Sequence, residues 1–442
     1  MRLALLGATM RIVQITPGSG DSFYCENCVR DNGSIQALRR SGHDALMVPL
    51  YLPPLADQPR PQPVGPIFFG GINVYLQQKF SLFRRTPRWL DRLFDSPRLL
   101  KWVGRKASMT NARALGETTL SMLRGEHGRQ VKELGRLVEW LGRNGRPDVV
   151  VLSNALLVGM ARQIRIKLGC PVVCMLQDED SFLDLLPEPL RDQAWAELSQ
   201  RSADVDCFIA VSNFYANVMR DRLGLPAGRV RVVYNCLPAD DYVPADAPPD
   251  PPVIGFLSRM CPEKGLDILV EAFVILRGDA RLEGLRLRAA GGSTVDDEAF
   301  LDGIRRRLDE CGLLGDVELL PNMSLPERQA FLPTLSVLSV PERRGQAFGL
   351  YILEALASAV PVVLPRSGAA VELLEATGGG MPYEPNDPPS LAAALEKLLA
   401  DTERARDLGA RGRQAVLEKF NAERIAGKLV GVFQEVASRS AR

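Results

Sequence analysis

A chain of 442 residues exceeds the size at which one hydrophobic core usually stops growing, so two domains are expected. Its composition, 46% hydrophobic and 24% charged, is ordinary for a folded globular protein. Lys and Arg (54) almost balance Asp and Glu (53), and a net charge of +1 excludes a global polyanion-binding role, so no nucleic acid partner is expected. No apolar run approaches the roughly 18 residues that span a bilayer. The opening Met1 to Thr9 has too short an apolar core for a signal sequence, and the strand-like run Arg11 to Thr16 follows at once. The fold is expected to open at Met10, after a tail or an upstream start, and the location to be cytoplasmic.

In chain order, the first expected strand, Arg11 to Thr16, runs into the glycine loop Pro17-Gly18-Ser19-Gly20-Asp21. Cys25-Glu-Asn-Cys28 follows, but no second CxxC completes a four-ligand set, and His43 and His127 are not at ligand spacing from it. A structural or substrate-loop role suits this pair better than zinc or redox chemistry. Asp31 and Asn32 read either as the border of an acceptor pocket or as simple helix capping. The stretch from Lys79 to Lys106 carries nine Lys or Arg against two Asp, interleaved with Phe80, Phe83, Trp89, Phe94 and Trp102. It reads either as a helical insertion packed on the first domain or as a peripheral contact to an anionic membrane surface.

Further strands are expected at Ala45 to Leu50, Val149 to Leu152, Val172 to Leu176 and Phe208 to Val211, with a helix whose apolar face is Val131, Leu134, Leu137, Val138 and Leu141. Gln177-Asp178-Glu179-Asp180 follows one of these strands, placed to grip a sugar or to favour a helix start by charge alone. The proline-dense, acidic stretch 238–252 is the clearest linker. A second alternating series then begins at Val253 to Leu257, with strands expected at Leu285 to Ala289, Val317 to Leu320, Leu335 to Val340 and Pro361 to Leu364. Asn421 suits the N-cap of a final helix bearing Ile425, Leu429, Val432, Phe433 and Val436 on one side. Alternating strands and helices predict an α/β protein of two doubly wound domains facing a central cleft, with the C-terminal helix crossing back to the first domain. The expected bounds are 10–237, a linker at 238–252, 253–420, and a helix at 421–442.

Two segments carry chemistry. Arg259 and Lys264, in Ser258-Arg-Met-Cys-Pro-Glu-Lys-Gly265, project from a strand-to-helix junction, where a fork and a point charge beside a positive helix end suit a diphosphate. Gln346-Ala-Phe-Gly-Leu-Tyr-Ile-Leu-Glu354 reads as a loop followed by a helix. Phe348, Gly349 and Leu350 supply a close approach and unpartnered amides that favour anions. Glu354, acceptor-only when ionised, suits adjacent hydroxyls such as those of a ribose.

Together these segments resemble the retaining glycosyltransferases of family 4, with the two-domain GT-B fold. Val211-Ser-Asn-Phe-Tyr and Val232-Val-Tyr-Asn-Cys-Leu237 match stretches leading to that family's linker, and Arg259 with Lys264-Gly265 resembles its phosphate-binding motif. Gly292 falls at its base-side glycine turn, Ser324 where it holds the nucleobase, and Gln346 to Glu354 on its E-x7-E signature. The resemblance implies that Arg259 and Lys264 neutralise a donor diphosphate, that Glu354 holds the ribose, and that Gly349 and Leu350 face sugar and phosphate. Gly18 and Gly20 would approach from the first domain, with Asp31, Asn32, Gln177 and Asp178 on the acceptor side.

The implied activity is hexosyl transfer from a nucleoside diphosphate sugar to a glycan, lipid-linked or small-molecule acceptor, without an obligate metal or other cofactor. The alternatives are a non-catalytic nucleotide-sugar-binding protein or an epimerase on the same fold. The chain departs from the family at Gln346, where an amide replaces the first glutamate. The resemblance still implies a catalytic-site place for it, with hydrogen-bonding reach to sugar hydroxyls but without the charge that could stabilise a positive sugar ring. A register using Glu342 instead breaks the spacing. Asn154 and Gln177 to Asp180 stand where histidines are expected, and Cys236 and Ala359 where glycine is usual.

Overall fold

The computed structural model describes residues 9–17, 26–50 and 112–440; Gly18, Gly20, Cys25 and the 79–106 stretch lie outside them. Two six-stranded parallel sheets organise the described residues. The first contains β1 (Arg11–Thr16), β2 (Asp44–Pro49), β3 (Val149–Leu152), β4 (Val172–Leu176), β5 (Cys207–Ala210) and β6 (Val230–Val232), in the order β2-β1-β3-β4-β5-β6. The second contains β7 (Val253–Leu257), β8 (Arg286–Gly291), β9 (Val317–Pro321), β10 (Val337–Leu338), β11 (Val362–Pro365) and β12 (Gly380–Tyr383), in the order β12-β11-β10-β7-β8-β9. Central strands such as β3 (VVVL) and β4 (VVCML) are apolar without alternation because helices cover both faces of the sheet.

The expected strands are present, with differences at their ends. β10 pairs over only Val337–Leu338, although the Ser336 and Ser339 amides beside it also donate to the Val253 and Gly255 carbonyls of β7 at 2.8 and 2.9 Å. β6 and β12 were not expected as strands. Both are short edge strands, and β12 (GMPY) contains a proline, which an edge tolerates.

The linker is not a passive spacer. Tyr242 is buried, and the Arg413 Nη1 amine donates to its carbonyl at 2.8 Å and also to the Ala357 carbonyl. The final helix, Ala422–Ser440, returns to the first sheet, with Asn421 accepting from the Arg424 amide at 2.8 Å as its cap. Ile425, Ala426, Leu429, Phe433 and Val436 there complete a core with Met10, Ile12, Ile35, Leu38 and Met47. The Leu237 amide donates to the Phe420 carbonyl at 3.1 Å where the outgoing and returning chains pass each other.

Candidate functional site

In the second sheet β7 lies between β10 and β8, so chain order reverses at β7 and β10. The crevice beyond the carboxyl ends of two such strands is the usual ligand place in open α/β sheets. Arg259 and Lys264 emerge from the loop after β7 and Glu342 from the loop after β10, one on either side of it. Gly265 makes this meeting possible. It has φ +71°, and a Cβ there would lie 2.0 Å from the Pro341 carbonyl oxygen. The close approach seats the Lys264 turn on the 341–343 segment, with the Arg343 amide donating to the Glu263 carbonyl at 3.1 Å.

Lys264 is bound to Glu342. Burial pushes the Glu342 carboxyl up to about 6; Lys264 opposes the shift, and the charges of Asp178 and Asp180 from the first domain add to it. Arg259 forks onto Asp297, with its Nη2 3.0 Å from Oδ1 and its Nε 3.3 Å from Oδ2, while its own side chain remains 53% exposed. Burial acts to raise Asp297, but Thr294's hydroxyl and amide and the Arg259 guanidinium outweigh it and hold the carboxyl low. An aspartate not singled out in the sequence thus orients the arginine.

Beside them, Gly291 brings β8 so close to Ser258 that a Cβ would lie 1.7 Å from its carbonyl oxygen. The Met260 amide donates to the Gly292 carbonyl at 2.8 Å, which places Gly292 next to Arg259. Asn322, in the left-handed region, exchanges hydrogen bonds of 3.0 and 3.1 Å with the Ser293 backbone and ties this turn to Ser324. Ser324 is itself engaged in a capping box with Glu327. Asn322 was missed because a lone Asn before a helix carries no distinctive spacing.

The Leu350–Ala357 helix starts at Gly349, φ +88°. Gln346 is buried, and its Nε2 donates to the Tyr351 hydroxyl at 2.7 Å and fills the space where a Gly349 side chain would lie. The amide is therefore turned into its own helix start. Phe348 is buried against Tyr234 of the first domain, ring centroids 6.1 Å apart, and the Ser212 hydroxyl donates to the Ala347 carbonyl at 2.6 Å.

Glu354 departs from the open ribose ligand expected of it. It is fully buried, accepts from the Tyr242 hydroxyl at 2.8 Å and lies 3.4 Å from the equally buried Arg328. A buried carboxylate needs such partners. To reach a ribose, Glu354 would have to exchange them.

On the first domain, Asp31 is also withdrawn from the surface. Its carboxylate accepts from Thr16 at 2.9 Å and from the Arg30 Nε at 3.0 Å; burial raises its pKa, with Arg30 opposing. Asn32, also buried, accepts from Gln36 at 3.4 Å. Neither the pocket border nor simple capping describes Asp31, which braces the interior of its domain. Gln177 donates to the Ser153 carbonyl at 2.5 Å. Glu179 gathers the Ala155 and Gln177 amides and the Tyr215 hydroxyl at 2.7–2.9 Å, and burial raises its pKa against those bonds. That network fixes the corner carrying Asp178, whose φ is +61°, and Asp180.

A hollow of about 490 Å³ lies elsewhere, between linker prolines such as Pro248 and the Ala359–Pro361 turn. It sits at the amino ends of the second sheet's strands, opposite the cationic loops.

Two facing doubly wound domains, with cationic loops at the second sheet's reversal point and a helix returning to the first, define the GT-B class. Sucrose-phosphate synthase from Thermosynechococcus elongatus shares this fold at TM-score 0.69 and 19% identity, over 97% of this chain and 99% of that one. HepE from Anabaena, solved in complex with UDP, shares it at TM-score 0.66 and 16% identity, over 96% and 100%. The family model Glycosyltransferase Family 4 matches residues 115–241 and Glycosyl transferases group 1 matches residues 243–415, and the chain belongs to this glycosyltransferase family.

The GDP-mannose-dependent alpha-(1-6)-phosphatidylinositol monomannoside mannosyltransferase of Mycobacterium tuberculosis is 31% identical over 40% of this chain, and the match spans about half (46%) of that curated relative. Alpha-maltose-1-phosphate synthase of Mycolicibacterium smegmatis is 28% identical over 67% of this chain and 81% of that one.

Proposed function

We propose that this protein is a retaining glycosyltransferase that moves a hexosyl group from a nucleoside diphosphate sugar to an acceptor hydroxyl without an obligate metal. The observation that carries the reading is Lys264, from the loop after β7, bound to Glu342 from the loop after β10, at the point where chain order reverses between β7 and β10. Arg259 shares the first of these loops, and the helix start at Gly349 and Leu350 follows the second. As the sugar–phosphate bond breaks, negative charge grows on the departing diphosphate. Lys264, exchanging Glu342 for phosphate, and Arg259, held ready by Asp297, meet that charge where it develops, and such preorganised donors are commonly the largest catalytic contribution.

Gly292 and Ser324 border the base and Glu354 holds the ribose once released from Arg328 and Tyr242. Gly18 and Gly20 complete the phosphate site from the first domain, and Gln177 and Asp178 face the acceptor side. A diphosphate oxygen takes the acceptor proton on the same face of the sugar. Closure of the domains keeps water from the donor. The names of the relatives, which include a GDP-mannose-dependent transferase, support a nucleotide sugar as donor. We place the activity in the cytoplasm, in polysaccharide or glycolipid assembly, with the 79–106 stretch able to meet an anionic membrane.

Thermal shift across nucleoside diphosphate sugars identifies the donor, since a tight ligand stabilises the fold by mass action. With that donor, Lys264→Ala and Arg259→Ala are each expected to lower turnover about 100-fold or more. Full turnover in either variant would remove the phosphate clamp. Binding without transfer across a broad acceptor panel would mean a binding protein instead.

A further inference from the structure

Glu342 has an oxygen that no described residue satisfies. The residue is 7% exposed; one carboxylate oxygen is bound to Lys264, while Oε2 is buried without a hydrogen-bond donor among the described residues. A buried acceptor left unpaired is costly, which points to a donor from beyond the described residues. Across from it stand Asp178 and Asp180 of the first domain, whose charges reach Glu342, and the buried Oδ1 of Asp180 likewise has no partner. The face carries carboxylates from both sides, with Lys264 beside Glu342 and Arg222 acting on Asp180. A carboxylate set between Glu342 and the Asp178–Asp180 corner would be repelled, whereas hydroxyl or ammonium donors would be satisfied.

We propose that Glu342 grips the transferred sugar, accepting hydrogen bonds from its hydroxyls opposite the Asp178–Asp180 corner, and so selects sugars that carry no acid group. The inference rests on the transferase reading above. If Lys264 holds the diphosphate, its immediate neighbour Glu342 lies within one sugar ring of the group attached to that diphosphate. The amide of Gln346, from the same loop, is spent on Tyr351 and cannot serve there without turning out. The sugar enters between Glu342 and the acidic corner, whose charges reach it.

Calorimetric titration of the full chain tests this, with UDP, GDP and ADP each compared with UDP-glucose, GDP-mannose and ADP-glucose. For the nucleotide that binds, Glu342→Gln is expected to leave free nucleoside diphosphate affinity equal or higher, since an anion beside Lys264 is gone. The extra affinity contributed by the sugar should fall about tenfold, the scale of one charge-assisted hydrogen bond. The corresponding uronic acid donor should bind wild type no better than the free diphosphate, and should gain on the glucosyl or mannosyl donor in Glu342→Gln and in Asp178→Asn. A merely structural Glu342 would weaken free diphosphate and sugar donor alike, and that result, or an unchanged sugar increment, overturns the inference. An effect confined to the acceptor's KM overturns it too. Failure of wild type to bind any of the three nucleotides would instead sink the transferase reading, and the inference with it.

Discussion

Ala359 sits between the Leu350–Ala357 helix and β11 with φ +57°, in a region that costs an L-residue about 1–2 kcal/mol and glycine almost nothing. The sequence marks this position only as one where glycine is usual in the family; the dihedral supplies the reason. Ala359→Gly is therefore expected to stabilise the protein by about 1 kcal/mol, less the entropy glycine adds to the unfolded chain, raising the calorimetric midpoint by about 2 °C. Glu342 offers a second residue-level outcome. Its folded-state carboxyl is raised to about 6 from an ordinary 4.5, so it contributes stability that is full below 4.5 and lost as pH rises through 6. Between pH 7 and pH 4.5, wild type should gain up to about 2 kcal/mol on Glu342→Gln in urea denaturation, the Lys264 partner being common to both. A flat difference across that range would contradict the raised carboxyl.

At the scale of elements, the turn closed by Gly265 decides whether the cationic loop meets the loop after β10. Gly265→Ala forces a methyl group into the Pro341 carbonyl, and we expect a loss of more than about 2 kcal/mol together with weaker nucleoside diphosphate binding. Gly312→Ala is the matched control. Its φ is +68° with nothing within 4 Å of the added carbon, so only the backbone strain of about 1 kcal/mol should appear. These glycines also mark how far the sequence could be read. Gly265 and Gly349 were visible as punctuation between strand and helix, and the long apolar runs of β3, β4 and β7 were visible as covered strands. β6, three residues at a sheet edge, gave no periodicity to read. The partners of Glu354 were equally hidden: Tyr242 lies 112 residues away in the chain, and no local pattern pairs a linker tyrosine with a helix carboxylate. Nor could the inward turn of Gln346 be foreseen, since it depends on the vacancy above Gly349.

For the whole molecule, the C-terminal helix belongs to the first domain's core although it follows the second domain in sequence. Ending the chain after Phe420 strips the cover from Met10, Ile12, Ile35, Leu38 and Met47. Hydrogen exchange of such a truncation should show lost protection in β1 to β3 while β7 to β11 stay protected, and the variant should bind a hydrophobic dye. Equal protection in both halves would mean the helix is dispensable packing. The two-domain organisation was legible from the linker and the renewed alternation after it. The extent of the crossing was legible only as an amphipathic helix whose other half was unknown.

The contact between Leu237 and Phe420 has a mechanical consequence. Two strands of covalent chain join the halves at one spot, and Tyr234 wedges its ring between Phe348 and Phe420 beside them. A single tether would permit swivelling in any direction, but a doubled one suppresses sliding and torsion and leaves rocking about one axle. Ser212 donates to the Ala347 carbonyl and Asn213 to Glu372 across the same line, so any rocking there would have to break and remake these bonds.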